Sequence, residues 1–211
     1  MLDVHPPEKK IHGMRDFFLH LFTITIGLFI ALALEGCAER IHQHHLREEA
    51  DRKLQQEIRD NEADLSKVQN AVATEQQSLT ETIKFLQARR ENQAYELKAV
   101  TFNFTSSTLS DASWRTATAT GALSFMEYAR VQQFASAYGD QELFTRLELE
   151  TLDNYLQLSS HTFGFDSKTL SPEEARAALP DVKNALSHLT AMNGIAANLQ
   201  LDYKRALEGK R

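Results

Sequence analysis

The chain has 211 residues, 42% hydrophobic and 25% charged, which excludes a disordered or collagen-like protein. Its one cysteine excludes a disulfide framework and multi-cysteine metal sites, and its formal net charge of −6 disfavours nucleic-acid binding. The stretch from Cys37 to Thr120 contains neither glycine nor proline. We therefore predict a mostly helical chain that can bury a core.

The first element is an apolar stretch of 18 uncharged residues between Asp16 and Glu35. At about 1.5 Å per residue it covers roughly 27 Å, close to the hydrocarbon thickness of about 30 Å. We assign a transmembrane helix to residues 17–38, after a short N-terminal segment at residues 1–16. No other uncharged apolar stretch approaches this length, so the sequence predicts a single-pass membrane protein.

The apolar stretch could also belong to a cleaved signal peptide or to a lipoprotein, but the sequence fits both less well than an uncleaved anchor. A cleaved signal peptide is suggested by the basic residues Lys9, Lys10 and Arg15, but the apolar core exceeds the usual length of about 7 to 15 residues. A lipoprotein is suggested because Cys37 follows a leucine and a glycine, as in a lipobox, but Glu35 fits that pattern poorly. We expect a signal anchor.

Orientation does not follow from counting basic residues, since three precede the span and four follow it closely. The N-terminal side of the apolar core is basic, whereas Glu35 and Glu39 flank its other end. We therefore expect residues 1–16 in the cytoplasm and residues 39–211 in the periplasm, with the helix in the cell inner membrane.

One face of the span carries small and polar residues at intervals of three and four. They are His20, Thr23, Gly27, Ala31, Glu35 and Ala38. The opposite side suits lipid and carries Phe18, Leu21, Phe22, Leu28, Phe29 and Leu32. Small residues allow close helix approach, so we predict contact with another transmembrane helix, from a second copy or a partner. The alternative is a simple anchor whose His20 and Glu35 reach opposite interfaces.

Good helix formers dominate residues 39–92, which we assign to one long helix. An apolar stripe along it forms a heptad-like seam of the coiled-coil type. The seam residues are Leu54, Ile58, Leu65, Val68, Val72, Leu79, Ile83 and Leu86. Skipped seam positions hold Asn61, Glu75 or Gln76, and Arg90. Such a thin, interrupted stripe is typical of a helix that packs partly on its own domain.

Beyond the long helix, alternating residues around 100–105 resemble a strand, but no second strand-like run could pair with them. We interpret residues 93–108 as an extended connector. Ser110 or Asp111 can then cap a helix that Gly121 interrupts, and Ser124 can cap the next helix.

A turn is predicted at Gly139-Asp140, followed by a helix that ends before Gly164. Ser171-Pro172-Glu173-Glu174 is a strong helix start, and Pro180 is expected to divide that helix. The fold class is therefore all-α: an N-terminal transmembrane helix continues into a long helix. An antiparallel helical bundle, residues 109–211, packs on its distal part.

A histidine cluster, His42, His44 and His45, follows the span. His42, His45 and Glu49 share one helix face and could bind zinc or copper, and histidine could also confer pH sensitivity. The simpler interpretation is contact with lipid headgroups or acidic neighbours. We therefore expect no metal site.

Aromatic residues of the bundle could line a ligand pocket, although such residues more often form the core. They are Trp114, Phe125, Tyr128, Phe134, Tyr138, Phe144 and Tyr155. The sequence contains no nucleophile paired with a base, no carboxylate pair in a glycine-marked loop and no phosphate-binding glycine motif. We therefore expect neither an enzyme nor a cofactor.

Two motifs resemble an uncharacterised family of bacterial single-pass membrane proteins. The first is Arg15-Asp16-Phe17-Phe18-Leu19-His20 running into TITIGLFIALALEG, and the second is Ser113-Trp114-Arg115-Thr116-Ala117 followed by Thr120-Gly121-Ala122-Leu123. The resemblance implies an anchor with a helical extracytoplasmic domain and no catalytic residue. We expect a structural or accessory subunit that contacts lipid and another transmembrane helix; the alternative is a ligand-binding or sensory bundle acting through a partner.

Overall fold

The computed structural model describes residues 13–96, 103–162 and 168–209. These residues form the helices α1 (Met14–Arg90), α2 (Ala112–Ala119), α3 (Tyr128–Thr162) and α4 (Pro172–Glu208), with a 3₁₀ turn at Ala122–Phe125. This part of the chain contains no strand, which confirms the all-α prediction. The predictions at Lys9, Lys10, residues 97–102 and Gly164 lie outside the described residues.

The chain divides into two compact units, with the boundary between Glu48 and Glu49. In the first unit, the described residues form the beginning of α1. The second unit contains the rest of α1 and the other helices, packed around a core of its own. The largest fully buried side chains are Tyr203, Phe134, Phe144, Leu54, Ile58, Leu65, Leu79, Leu158, Leu189, Met192, Leu199 and Val68.

Within the second unit, α1 and α3 run in the same direction. Arg130, near the start of α3, contacts Asp51 of α1, and Tyr155, farther along α3, contacts Glu75. A parallel pair of helices needs a long return connection between them. Residues 103–111, which we call the strap, form part of this return and lie antiparallel to α1, from Glu75 back to Glu57.

Helix α4 runs antiparallel to α3, as expected for neighbours joined by a short connection. Ser136 of α3 donates to Asp202 of α4, and Asn184 of α4 donates to Asn154 of α3. Cα atoms of these two helices lie within 8 Å of each other at many positions. Both helices also carry small buried residues, which are Ala137 on α3 and Ala175, Ala178, Ala185, Ala196 and Ala206 on α4.

The seam of α1 is the apolar side of this core. Seven of its eight predicted residues are buried, and Ile83 is only half-buried. Thr82 is buried in its place, because a strict alternation of three and four residues from Leu79 passes through Thr82 to Leu86. The assignment of Ile83 to the seam was therefore wrong by one position.

Of the predicted helix starts and ends, some agree with the structure and one does not. Ser171 caps α4 in a complete capping box with Glu174, as predicted. Gly121 also interrupts the chain after α2, with a φ of 72° that favours glycine. Ser124 does not cap the next helix: it lies inside the 3₁₀ turn, and α3 begins at Tyr128.

Two predicted interruptions are absent from the described helices. Gly139 and Asp140 lie inside α3, and Pro180 lies inside α4. The buried face of α3 continues across Gly139 through Tyr138 and Gln141, so tertiary packing outweighs the cost of one glycine. Pro180 is exposed, so water can reach the backbone groups that its ring leaves without a helical hydrogen bond.

Candidate functional site

The first candidate site is the apolar beginning of α1. It is the one described helix long and apolar enough to cross a membrane, and none of its most apolar 18-residue window is buried. Exposed apolar stretches of this size are typical of surfaces that lipid or another protein covers. The structure thus agrees with the coarse prediction of one candidate span.

All six residues of the predicted packing face are exposed, and so are the six on the opposite side. A Cβ atom added to Gly27 would meet nothing within 4 Å, so space is open there for a neighbour. The hydroxyl of Thr23 donates to the carbonyl of Leu19 at 2.9 Å, four residues earlier. Thr23 therefore has an acceptor within its own helix, whereas contact of the face with a second helix stays a prediction.

The second candidate site is the groove between α1 and α3 that holds the strap. Amide groups of the strap donate to side chains rather than to a neighbouring strand. The Ser107 amide donates to Glu148 of α3 at 2.7 Å, and the Thr108 amide donates to Asp64 of α1 at 2.7 Å. The hydroxyls of both strap residues bond to the same two carboxylates.

Asn61 of α1 connects the strap to the two long helices. Its carbonyl oxygen accepts from the Ser110 amide at 2.9 Å, and its amide group donates to the Ser110 carbonyl at 2.7 Å. It also donates to Gln141 of α3, whose carbonyl oxygen accepts from Tyr203 of α4. This buried amide therefore joins three helices and the strap.

Glu57 of α1 caps the start of α2. Asp111, at the N-cap position, makes no side-chain capping bond, and the Ser113 amide donates to Glu57 at 2.9 Å instead. The same carboxylate accepts from the hydroxyls of Ser110 and Tyr138. An acceptor from α1 thus satisfies an amide that a helix start leaves free.

At the other end of the strap, Glu75 of α1 accepts from the Asn103 amide at 3.3 Å and from the Tyr155 hydroxyl at 3.2 Å. The ring of Phe104 packs on Tyr155 with centroids 5.5 Å apart. This end is therefore held by one carboxylate and by an aromatic contact.

Burial and hydrogen bonding shift the acidity of these groups in different directions. Burial acts to raise the pKa of Glu57, but bonds from Ser113, Tyr138 and Ser110 outweigh it and hold that pKa below its usual value. Burial dominates at Glu75 and raises its pKa. Burial also raises the pKa of Tyr138 far above its usual value, so its hydroxyl stays a donor.

The seven predicted aromatic residues do not line one pocket. Phe134, Phe144, Tyr138 and Tyr155 are buried in the core, whereas Phe125 and Tyr128 are exposed. Trp114 stacks on Tyr138 with centroids 5.3 Å apart, and these two rings line a groove of about 570 Å³ between α2 and α3. The core interpretation therefore describes four of the seven.

No group of three histidine, cysteine or acidic residues that could hold a metal ion occurs in the part of the chain that the structure describes. His44 instead lies 3.4 Å from Glu48, one helical turn later. Cys37 is a free, exposed thiol.

The sequence contained a partial signal for the groove. Asn61 and Glu75 stood out as polar interruptions of the seam, but their partners lie more than 25 residues away along the chain. The strap is rich in serine and threonine, which offers hydroxyl donors next to the backbone amides. Composition could therefore indicate a polar strap, but not which carboxylates receive it.

Comparisons of the chain with protein-family models, with curated proteins and with solved structures find no match. The resemblance to a bacterial single-pass family therefore stays a prediction.

Proposed function

We propose that this chain is a non-enzymatic, single-pass protein of the bacterial inner membrane. It serves as a structural or accessory subunit of a membrane-associated assembly, formed with copies of itself or with another membrane protein. Residues 1–16 face the cytoplasm, and the helical domain lies in the periplasm.

The observation that carries the proposal is the uncovered apolar start of α1. In the second unit, by contrast, the same helix carries the seam residues Leu54, Leu65 and Leu79, which are fully buried. Because the second unit has its own core, the uncovered stretch is not needed to complete that core. Its length and composition match the hydrocarbon core of a bilayer.

The choice of an accessory role over catalysis is supported by the chemistry of the buried acids. Glu148 already accepts an amide and a hydroxyl hydrogen from Ser107 of the strap, and Glu57 accepts the Ser110 hydroxyl of the strap and the Ser113 amide of α2. Such groups serve packing, and they offer no carboxylate positioned as a general acid or base.

The partner side of the span is tested by cysteine crosslinking. In a Cys37→Ser background, single cysteines are placed at Gly27 and Ala31 on the small-residue face, and at Leu28 and Leu32 on the other. A close helix neighbour should crosslink through the first pair only, because small residues let the helix axes approach. Mass spectrometry of the crosslinked product then identifies a second copy or another protein.

Equal crosslinking from both faces would contradict a specific helix interface and leave the span as an anchor. Measurement of the native mass in mild detergent gives the number of subunits in the assembly. A monomer with no co-purifying protein would contradict the subunit role.

Orientation is tested separately with protease added to intact spheroplasts. The helical domain should be digested, because residues 39–211 are accessible from outside in the proposed arrangement. Protection in spheroplasts and digestion in inside-out vesicles would reverse the orientation.

A second candidate function, ligand binding or sensing through a partner, is favoured by the groove beside Trp114. Its volume of about 570 Å³ lies within the usual range for small-molecule sites, and Gly139 and Ala135 line it without bulky side chains. Fluorescence of Trp114, the one tryptophan of the chain, would report on a bound compound. Saturable quenching by a small molecule, lost in Gly139→Leu, would support this function.

A further inference from the structure

The strap lies on the bundle with Phe104, Ser107, Leu109 and Asp111 half-buried and its other residues exposed. None of residues 103–111 is buried, although Phe104 contacts Tyr155 at one end. An extended segment that pairs with no strand must satisfy its amides elsewhere. In this chain the acceptors are mostly ionisable side chains, so attachment of the strap depends on their charge.

Three carboxylates act at the end of the strap near α2. Glu148 and Asp64 each accept an amide and a hydroxyl from one strap residue, Ser107 and Thr108 respectively. Glu57 accepts from Ser110 and from the first turn of α2. Hydrogen bonds to ionised carboxylates are roughly twice as strong as neutral ones, and protonation turns one acceptor oxygen into a donor.

We propose that the strap is an acid-sensitive latch. Protonation of Asp64 and Glu57 releases the strap at its α2 end and opens the groove between α1 and α3, while the three long helices stay folded.

Other charged groups face the strap from the elements around it. Helix α1 contributes Lys53, Asp60 and Lys67, and Lys67 lies 3.7 Å from Asp64 and favours its ionised form. Asp111 of the strap pairs with Arg115 of α2 at 3.1 Å. Helix α4 contributes apolar side chains, Leu189 and Met192, beside Phe104 and Thr105. The lysine and arginine side chains among these groups are donors only, so they cannot accept the strap amides in place of a protonated carboxylate.

The direction of the effect follows from the acidities. The bond from the Thr108 amide holds the pKa of Asp64 below its usual value, and Glu57 is shifted in the same direction. Groups with lowered folded-state pKa values stabilise the attached strap at neutral pH, and this contribution is lost as the pH falls through those values.

The other end of the strap responds in the opposite direction. Burial raises the pKa of Glu75, so protonation there relieves the cost of a buried charge. The Asn103 end is therefore retained in acid, and release begins at the α2 end.

The test uses the full chain in detergent micelles, titrated from about pH 7 to about pH 2. Hydrogen exchange follows the strap amides, fluorescence follows Trp114, and circular dichroism follows the helices. We expect the amides of Thr108 and Ser110 to exchange at least about tenfold faster in acid, after correction for intrinsic rates, while helix content is unchanged. The Asn103 amide should change less.

The variant Asp64→Asn keeps the shape of the acceptor but removes its titration. Its Thr108 amide should exchange faster already at neutral pH, and its acid response should be smaller than that of the natural chain. Asp60→Asn is the matched control, because Asp60 lines the same groove and accepts from Gln56 rather than from the strap. Simultaneous loss of strap protection and helix content would overturn the proposal, as would identical behaviour of the two variants.

Discussion

At the scale of single residues, Asn61 shows why a polar interruption of an apolar seam can stabilise a fold. It is 3% exposed, and it bonds both backbone groups of Ser110 as well as the side chain of Gln141. A leucine there would complete the heptad pattern of α1, but it would leave the Ser110 amide without its acceptor and would remove one donor from the Gln141 oxygen.

We predict that Asn61→Leu lowers the free energy of unfolding by about 1 to 3 kcal/mol, because the Ser110 amide loses its acceptor and the buried Gln141 side chain loses a donor. Urea unfolding followed by Trp114 fluorescence measures the change. Ile58→Leu, an apolar exchange at a fully buried seam position, should cost less than about 1.5 kcal/mol. A variant more stable than the natural chain would show that seam packing outweighs the polar network.

At Glu75 we predict that a substitution raises the free energy of unfolding instead of lowering it. Burial raises its pKa, so the ionised form opposes folding at neutral pH, and stability is gained as the pH falls through the raised value toward 4.5. Glu75→Gln should therefore raise the free energy of unfolding at neutral pH by up to about 1 kcal/mol and reduce the gain on mild acidification. Unfolding curves at several pH values measure this, and a loss of stability at neutral pH would contradict it.

At the scale of elements, the two central glycines of the bundle have different roles. Gly139 lies inside α3 with helical geometry, and a Cβ atom there would meet nothing within 4 Å. Gly121 has equally open surroundings, but its φ of 72° is strained for any residue with a side chain.

We predict that Gly139→Ala raises the free energy of unfolding by about 0.5 to 1 kcal/mol, whereas Gly121→Ala lowers it by about 1 kcal/mol. Thermal unfolding by circular dichroism compares the two variants. If Gly139→Ala instead lowered the free energy of unfolding, Gly139 would have to make a close contact that the single chain does not contain.

The same two glycines show how far sequence reasoning reaches. Gly121 and Ser171 end or start elements through local backbone chemistry, and both were predicted. Gly139 and Pro180 carry the same kind of local signal, but they lie in helices whose opposite faces are buried continuously. Tertiary packing decides such positions, and it is not readable from neighbours in the sequence.

In the candidate site, too, one part could be predicted from the sequence and another could not. The seam residues follow from a periodic pattern, so seven of eight were placed correctly on the buried face. The strap acceptors do not follow from any pattern, because Glu57 meets the strap only after the chain has run back along α1, and Glu148 meets it only after α3 has packed beside both.

At the scale of the whole molecule, the two units differ in what covers their apolar residues. The described first unit exposes Phe18, Phe22 and Phe29, whereas the seam of the second unit is covered by its own chain. Self-association through that seam would require the bundle to open. Any assembly of folded chains must therefore use other surfaces, and the span face is the one that the sequence pattern favours.

This leads to a prediction for the isolated second unit, residues 49–211. Its core begins at Leu54 and includes α3 and α4, so it should fold without the apolar stretch and remain soluble, mainly helical and monomeric. Circular dichroism measures the helix content, and light scattering after gel filtration measures the mass. Leu65→Asp is the control that should unfold the fragment, because it places an unpaired charge at a fully buried seam position. A folded oligomer would locate an assembly surface in the bundle itself, and an unfolded fragment would show that the core depends on the first unit.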